Sequence, residues 1–400
     1  MSHDAAILVV NSGSSSVKFT LFGSDKTLPK FFSGALDGIG LSRGRFHAKS
    51  ATGATIFDKQ TVLGSHDVAL ALLIDALPKY MADRPLLAVG HRVIHGGADC
   101  DCSLLVTPEV EDRLEQLIPL APLHLPHNLA GIAAMREMQP NLRQVACFDT
   151  AFHHSRPRIA KLTGLPRSLQ DNGVQRYGFH GLSYESVVNS LRQGGVDVEH
   201  ERIVVAHLGN GASMCALKNG RSIETTMGFS TLAGLMMGTR CGDLDPGTVL
   251  YLLTALGMTT GAVQTLLYEQ SGLLGVSGIS SDMRELLDHR DKPAAREAID
   301  LFCYRAKHHL AAMTAALGGV DRLVFTGGIG ENAPEIRAKI CDGLAYLGIN
   351  LEANANRAGA GVFSVPGAAV SVQAVVSDEE LMIARHVQRL LADQLIQVAL

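Results

Sequence analysis

Residues 5–23, AAILVVNSGSSSVKFTLFG, decide how the rest of the chain is read. Ile7, Leu8, Val9 and Val10 form a short apolar run, and Val17, Phe19 and Leu21 alternate with Lys18 and Thr20. Both patterns predict strands. Between them stand Asn11-Ser12-Gly13-Ser14-Ser15-Ser16, six small polar residues, more than a tight hairpin needs. Phosphate oxygens call for several N–H donors and no bulky side chains, and a Gly/Ser turn offers both. Ser14, Ser16 and Lys18 are the candidate phosphate contacts, with Lys18 as a point charge.

About half a chain later the plan returns in RIVVAHLGNGASMCALKNGRSIET. Ile203, Val204 and Val205 begin a strand, residues 209–213 make a turn of small residues, and a second strand leaves from Met214. Asn219-Gly220 then signals a tight turn into a third. A second pair lies in register with the first. LLAVGHRVIHGG and RLVFTGGIGEN both run from an apolar strand into glycines, and each follows an amphipathic stretch, near residues 68–77 and 294–317. Two features in the same order predict a duplicated unit. The fold expected is α/β with two related domains and one phosphate-sized turn on each wall of a cleft. In GGIGENAPEIRAKI, Gly327, Gly328 and Gly330 follow a strand and Pro334 suits a first helical turn. Ser377 and Glu380 have capping-box spacing ahead of an apolar helix.

The bulk properties exclude other classes. Over 400 residues the chain is 46% hydrophobic and 18% charged, with a net charge of −4. That balance fits a compact globule with no general attraction to nucleic acid or acidic membranes. No apolar run reaches the roughly 18 residues of a membrane span. No basic segment with a following apolar run marks a secretory signal, and the seven cysteines form no C-x-x-C pair. Cytoplasm is the expected compartment. Cys100 and Cys102 around Asp101 read as a polar loop rather than a metal motif.

With these hairpins and turns in view, the chain resembles the acetate kinases and their relatives, short-chain acyl kinases of the actin-like ATPase superfamily. The motifs that carry the resemblance are NSGSSSVKF, GHRVIHGG, FDTAFH, RYGFHG, HLGNGAS, MGTRCGDLDPG, GGIGEN and DEELMIAR, which together extend from Asn11 to about Arg385. The resemblance implies two actin-like (ribonuclease H-like) domains with ATP in the cleft between them. Their expected bounds are 1–150 with a final helix at 386–400, and a nucleotide-binding domain at 151–385. It also implies ATP/ADP with Mg2+ (or Mn2+), a homodimer, and reversible phosphoryl transfer between ATP and acetate. A kinase preferring propionate or butyrate, a non-catalytic nucleotide sensor and a sugar or polyol kinase are the alternatives. A sensor has no need of two anion-gripping arginines, and a sugar kinase needs polar groups where Val93, Leu125 and Phe179 are apolar.

Residue by residue, the resemblance assigns Arg92 to the acceptor carboxylate and Arg240 to the transferring phosphoryl. Val93, Leu125 and Phe179 become the wall around the acceptor's methyl group, and His180 stabilises the transition state. Adenosine contacts fall on His207, Leu208, Gly209, Asn210 and Gly211, on Asp282, Met283 and Arg284, and on Gly328, Ile329, Gly330, Glu331 and Asn332. Asn11 and Glu379 match metal positions. Asp149, just past a strand, matches the family's acid/base residue. The acceptor, however, is a carboxylic acid with a pKa of about 4–5, already ionised at pH 7. It needs no base, so Asp149 is expected to position the acceptor or metal-bound water instead. Four positions depart from the family pattern. Thr231 and Ala233 stand where proline and glutamate are usual, and Leu182 and Tyr184 where threonine and histidine are common. Thr231 for proline predicts a roomier acceptor pocket.

Overall fold

The computed structural model describes residues 5–13, 15–81, 84–359 and 361–398, with side chains described as far as residue 393. Ser14 therefore lies outside the described residues. The chain packs as two units, Met1–Ala151 with Asp378–Leu400, and Phe152–Ser377.

Unit 1 is built on β1 (Ala6–Ser12), the continuation of the apolar run. It lies between β2 (Ser16–Gly23), antiparallel, and β6 (Leu86–Val93), parallel, so residues 6–10 are buried on both faces. Burial on both sides explains why the run does not alternate. β3 (Lys30–Asp37), β4 (Gly44–Ser50) and β5 (Thr55–Thr61) extend the antiparallel side. β8 (Arg143–Phe148) pairs parallel with β6, and the short β7 (Leu104–Leu105) closes that edge. The helix Leu125–Met138 packs on one face, and the helix Glu379–Val398 covers the other. Gly90 permits that second contact. A Cβ there would come within 2.4 Å of Ile383 Cγ2 and 2.8 Å of Val387 Cγ2.

The final helix corrects two expectations. It begins at Glu379 and packs with unit 1 as one element, so a boundary at 386 would cut it in its second turn. Its cap is Asp378 rather than Ser377, since Asp378 Oδ1 accepts from the Leu381 N–H at 2.8 Å. Both residue types suit that position.

Unit 2 repeats the strand order of unit 1. β9 (Ile203–Leu208) pairs antiparallel with β10 (Ala212–Lys218), which pairs antiparallel with β11 (Arg221–Thr225). On its other side β9 runs parallel with β12 (Arg322–Thr326), and β12 with β13 (Ser371–Ala374). The order β11-β10-β9-β12-β13 thus matches β3-β2-β1-β6-β8 in sequence and sense. GHRVIHGG contains the end of β6 and GGIGEN directly follows β12, the equivalent strand. Asn219 and Gly220, at φ 54° and 65°, form the tight turn between β10 and β11. The helix Gly181–Gln193 packs its Tyr184, Val187, Val188 and Leu191 against β9 and β10, and the helix Pro293–Leu317 also packs on the sheet. All seven cysteines are free thiols, and Cys102 alone is exposed. Among the described residues no helix is long and apolar enough to cross a membrane.

Candidate functional site

In unit 1 the parallel register of β6 and β8 brings Arg92 beside Cys147, and the chain continues from β8 into Asp149. The Asp149 N–H donates to the Val93 carbonyl at 3.0 Å, which fixes the carboxylate at the strand end. Arg92 then grips it as a fork: Nε donates to Oδ1 at 2.9 Å and Nη2 to Oδ2 at 2.7 Å. Its third nitrogen, Nη1, lies 2.8 Å from Glu379 Oε2 at the start of the final helix. Burial alone would lower the guanidinium pKa, but Asp149 and Glu379 raise it above its ordinary value. One cation thus gathers two carboxylates, leaving a local surplus of negative charge. At the mouth of the hairpin Asn11 faces Lys18, whose side chain is exposed. Asn128 ties the strand ends together, donating to the Ser12 carbonyl at 2.8 Å and accepting from the Ile94 N–H at 3.0 Å.

Val93 and Leu125 do not lie open to a ligand. Both are 0% exposed and pack with Leu114, Ile132 and Phe148 in the unit 1 core. Neighbouring strand residues point to opposite faces, so Val93 turns away from Arg92. The next apolar residues, Ile94 and Leu123, are only partly buried. Phe179, in unit 2, is 1% exposed.

In unit 2 the predicted nucleoside residues converge. Gly209, Asn210, Asp282, Met283, Arg284, Gly328, Ile329 and Asn332 line one cavity of about 840 Å³, together with Ser281, Leu287 and Ala333. That volume falls in the range of small-molecule sites. Five predicted contacts are absent from its lining: His207 and Gly211, which lie at His180, and Leu208, Gly330 and Glu331. Leu208 and Gly330 are buried in the unit. Glu331 Oε1 bends back to accept from the Gly327 N–H at 3.0 Å and the Thr326 hydroxyl at 3.3 Å. Gly327 itself has φ 78°, and a Cβ there would sit 2.7 Å from the Leu208 carbonyl. Only glycine fits so close to β9. Sequence reasoning missed Arg337. It is 1% exposed and its Nη1 donates to the Gly330 and Glu331 carbonyls, both at 2.8 Å, bracing the glycine turn. An arginine beside Ile336 and Ile340 on one helix was the available signal.

Arg240 is the unusual charge of this unit. Among the described residues its side chain hydrogen-bonds to the Thr231 carbonyl at 3.4 Å and Met237 Sδ at 3.8 Å and to nothing else. Burial lowers its pKa, and among the described residues no carboxylate pairs with it. His180 occupies the left-handed region at φ 61° and precedes the helix Gly181–Gln193. Its ring stacks on His207, 4.4 Å between centroids. His180 Nδ1 lies 2.9 Å from Ser213 Oγ, and His207 Nδ1 lies 2.8 Å from Ser183 Oγ. A Cβ built on Gly211 would sit 3.1 Å from His180 Nε2, so that nitrogen faces the glycine turn.

Comparison with known proteins agrees with these arrangements. The acetokinase family model matches residues 6–385. An acetate kinase of Rhodopseudomonas palustris is 52% identical over 391 residues, covering 96% of this chain and 98% of that one. The crystal structure of Porphyromonas gingivalis acetate kinase superposes with a TM-score of 0.88 at 38% identity, covering 97% of this chain and 100% of that one. A propionate kinase from Francisella tularensis superposes at 0.90 with 35% identity, covering 96% and 98%. The motif set, the repeated five-strand plan and the near-complete match together make this chain a member of the acetokinase family.

Proposed function

We propose that the protein transfers the γ-phosphoryl group of ATP reversibly to acetate, giving acetyl phosphate and ADP. The observation that carries this reading is Arg240, a partly buried guanidinium with no acidic partner among the described residues. A buried unpaired cation is costly unless an anion completes it. A phosphoryl group in transfer is such an anion, and its stabilisation depends mostly on positioned charge.

The 840 Å³ cavity takes the nucleoside, with the glycine turns after β9 and β12 on its floor. Arg92 orients the acceptor, whose ionised carboxylate oxygen attacks phosphorus as the bond to ADP breaks. No proton moves in that step. Asp149 is already committed to Arg92 through both oxygens, which suits a positioning role and not that of a base. His180 offers Nε2–H towards the phosphoryl oxygens. Ile94 and Leu123, partly buried, replace Val93 and Leu125 as candidates for the apolar wall. Asp149 and Glu379, gathered on one guanidinium with a surplus negative charge, fit an ion held by one or two carboxylates, with Asn11 as a further oxygen donor. Magnesium or manganese bound there would supply neutralising charge on the phosphate oxygens.

Dimerisation belongs to the same proposal. The helix Pro246–Thr254 reads PGTVLYLLT, yet none of its residues is buried, and Leu250 and Tyr251 are 61% and 56% exposed. Such an apolar surface suits a second copy of the chain. A cytoplasmic setting follows from the need for ATP. The direct test is ATP consumption with acetate, propionate, glycerol or no acceptor. Turnover with acetate alone or with both carboxylates is expected, and turnover that ignores carboxylates would overturn the reading.

A further inference from the structure

The helix Gly181–Gln193 places Tyr184 one turn beyond His180, with the phenol inside the unit at 0% exposure. Among the described residues its hydroxyl has one hydrogen-bond partner, Ser213 Oγ. Ser213 is also fully buried, and its oxygen in turn meets His180 Nδ1 at 2.9 Å. Three residues thus form one line: phenol, hydroxyl, imidazole.

Two arrangements of the protons on this line compete, because a third, in which Tyr184 and His180 Nδ1–H both donate to Ser213, leaves the buried Ser213 proton with no acceptor among the described residues. In one, Tyr184 donates to Ser213, and Ser213 donates to His180 Nδ1. In the other, His180 Nδ1–H donates to Ser213, and Ser213 donates to the phenol oxygen. The second leaves the Tyr184 proton buried with no acceptor among the described residues, which is unfavourable. Nearby groups do not relieve it. His153, whose ring meets Tyr184 edge-on at 5.4 Å, faces Ser222 Oγ at 2.8 Å and the Phe179 carbonyl at 2.9 Å. Cys215 Sγ turns to Ser222. Burial pushes the phenol well above its ordinary pKa, so it keeps its proton to donate.

We propose that Tyr184 is a positioning residue: through Ser213 it makes His180 Nδ1 an acceptor and so fixes the ring proton on Nε2, the nitrogen facing Gly211. A neutral imidazole then presents a donor where phosphoryl oxygens would lie, with no proton to lose from the Nδ1 side. The consequence for catalysis rests on the phosphoryl-transfer reading above; the tautomer itself does not.

The test uses the ligand-free protein. Nitrogen-15 NMR of the histidine rings at pH 8 lies above the ordinary imidazole pKa of about 6.5. His180 is assigned by its disappearance in His180→Gln. The expected wild-type spectrum has pyridine-type Nδ1 and pyrrole-type Nε2. In Tyr184→Phe, Ser213 is free to donate or accept, so both shifts move towards intermediate values. Acetate-dependent kcat should fall about tenfold with little change in KM, as for partners that orient a reacting group from behind. Ser213→Ala, which removes a single oxygen, should shift the same two nitrogens and serves if Tyr184→Phe does not fold. A pyrrole-type Nδ1 in the wild type overturns the proposal. So do His180 shifts that stay at wild-type values in the variants. An inactive wild type with the expected shifts would instead refute the phosphoryl-transfer reading alone.

Discussion

Arg92 and Arg240 read alike in sequence, each an arginine among glycines, but their surroundings give opposite expectations. Arg240 has no acid to satisfy among the described residues, so Arg240→Ala removes an uncompensated, partly buried charge. Its urea midpoint should match or exceed the parent's, while kcat/KM falls by about a thousandfold or more. Arg92 holds two carboxylates, one of them 0% exposed. Arg92→Ala leaves Asp149 buried without its cation and should cost about 3–5 kcal/mol of stability as well as activity. Denaturation curves of the two variants side by side check the contrast, and equal midpoints would defeat it. A third prediction concerns Thr231, whose carbonyl accepts from Arg240 at 3.4 Å. Its own N–H has no partner among the described residues, so proline fits there without losing a hydrogen bond. One methylene in an apolar pocket is worth about 1–3 kcal/mol. Thr231→Pro should therefore lower kcat/KM for propionate relative to acetate, and an unchanged ratio would show that position 231 does not set the pocket.

Among the elements, the helix Glu379–Val398 depends on a close approach to β6 at Gly90. Gly90→Ala would force its methyl into Ile383 and Val387 and should destabilise by about 1–3 kcal/mol. Ile383→Ala added to it should recover part of the loss in urea unfolding, since it removes the nearer clash; a purely additive loss would contradict that packing. The hairpin β1–β2 and its repeat β9–β10 were legible because an apolar run, a small-residue turn and a second run are local features. So were the strand ends that carry Arg92, Asp149 and the glycine turns. What stayed hidden depends on long-range pairing. Val93 and Leu125 look like pocket residues until the pleat and the Leu125–Met138 helix bury them. Glu331 looks like a ligand residue until it folds back on Gly327. Arg337, 1% exposed, braces the turn because the Gly330 and Glu331 carbonyls, 7 and 6 residues before it, need a donor. The choice of Asp378 over Ser377 as the cap was likewise open, because both side chains can accept that bond.

At the scale of the whole molecule, burial pulls His91 and His95 down to about 4 and His153 to about 3 and keeps them neutral. In the unfolded chain each titrates near 6.5. Below that value the unfolded state takes up protons the folded state refuses. Stability should thus be flat above about pH 7 and fall by about 1.4 kcal/mol per histidine per unit between roughly pH 6.5 and 4. Urea midpoints at pH 7, 6 and 5 measure the slope, and His153→Gln should make it shallower; a level profile would refute the assignment. Leu250→Glu on the exposed Pro246–Thr254 helix should convert a dimer to a monomer in sedimentation, whereas a monomeric parent would remove that surface from the proposal. The order of the units along the chain has a consequence for biosynthesis. Phe152–Ser377 is an uninterrupted insertion into unit 1, whose last helix follows it. Domains generally fold as units as they emerge from the ribosome. Here the inserted unit is finished while the first sheet still lacks the helix that covers Gly90. Glu379 therefore reaches Arg92 only after the whole of the inserted unit has been synthesised. A nascent chain halted after Ser377 should carry a protease-resistant second unit beside an uncompleted first one.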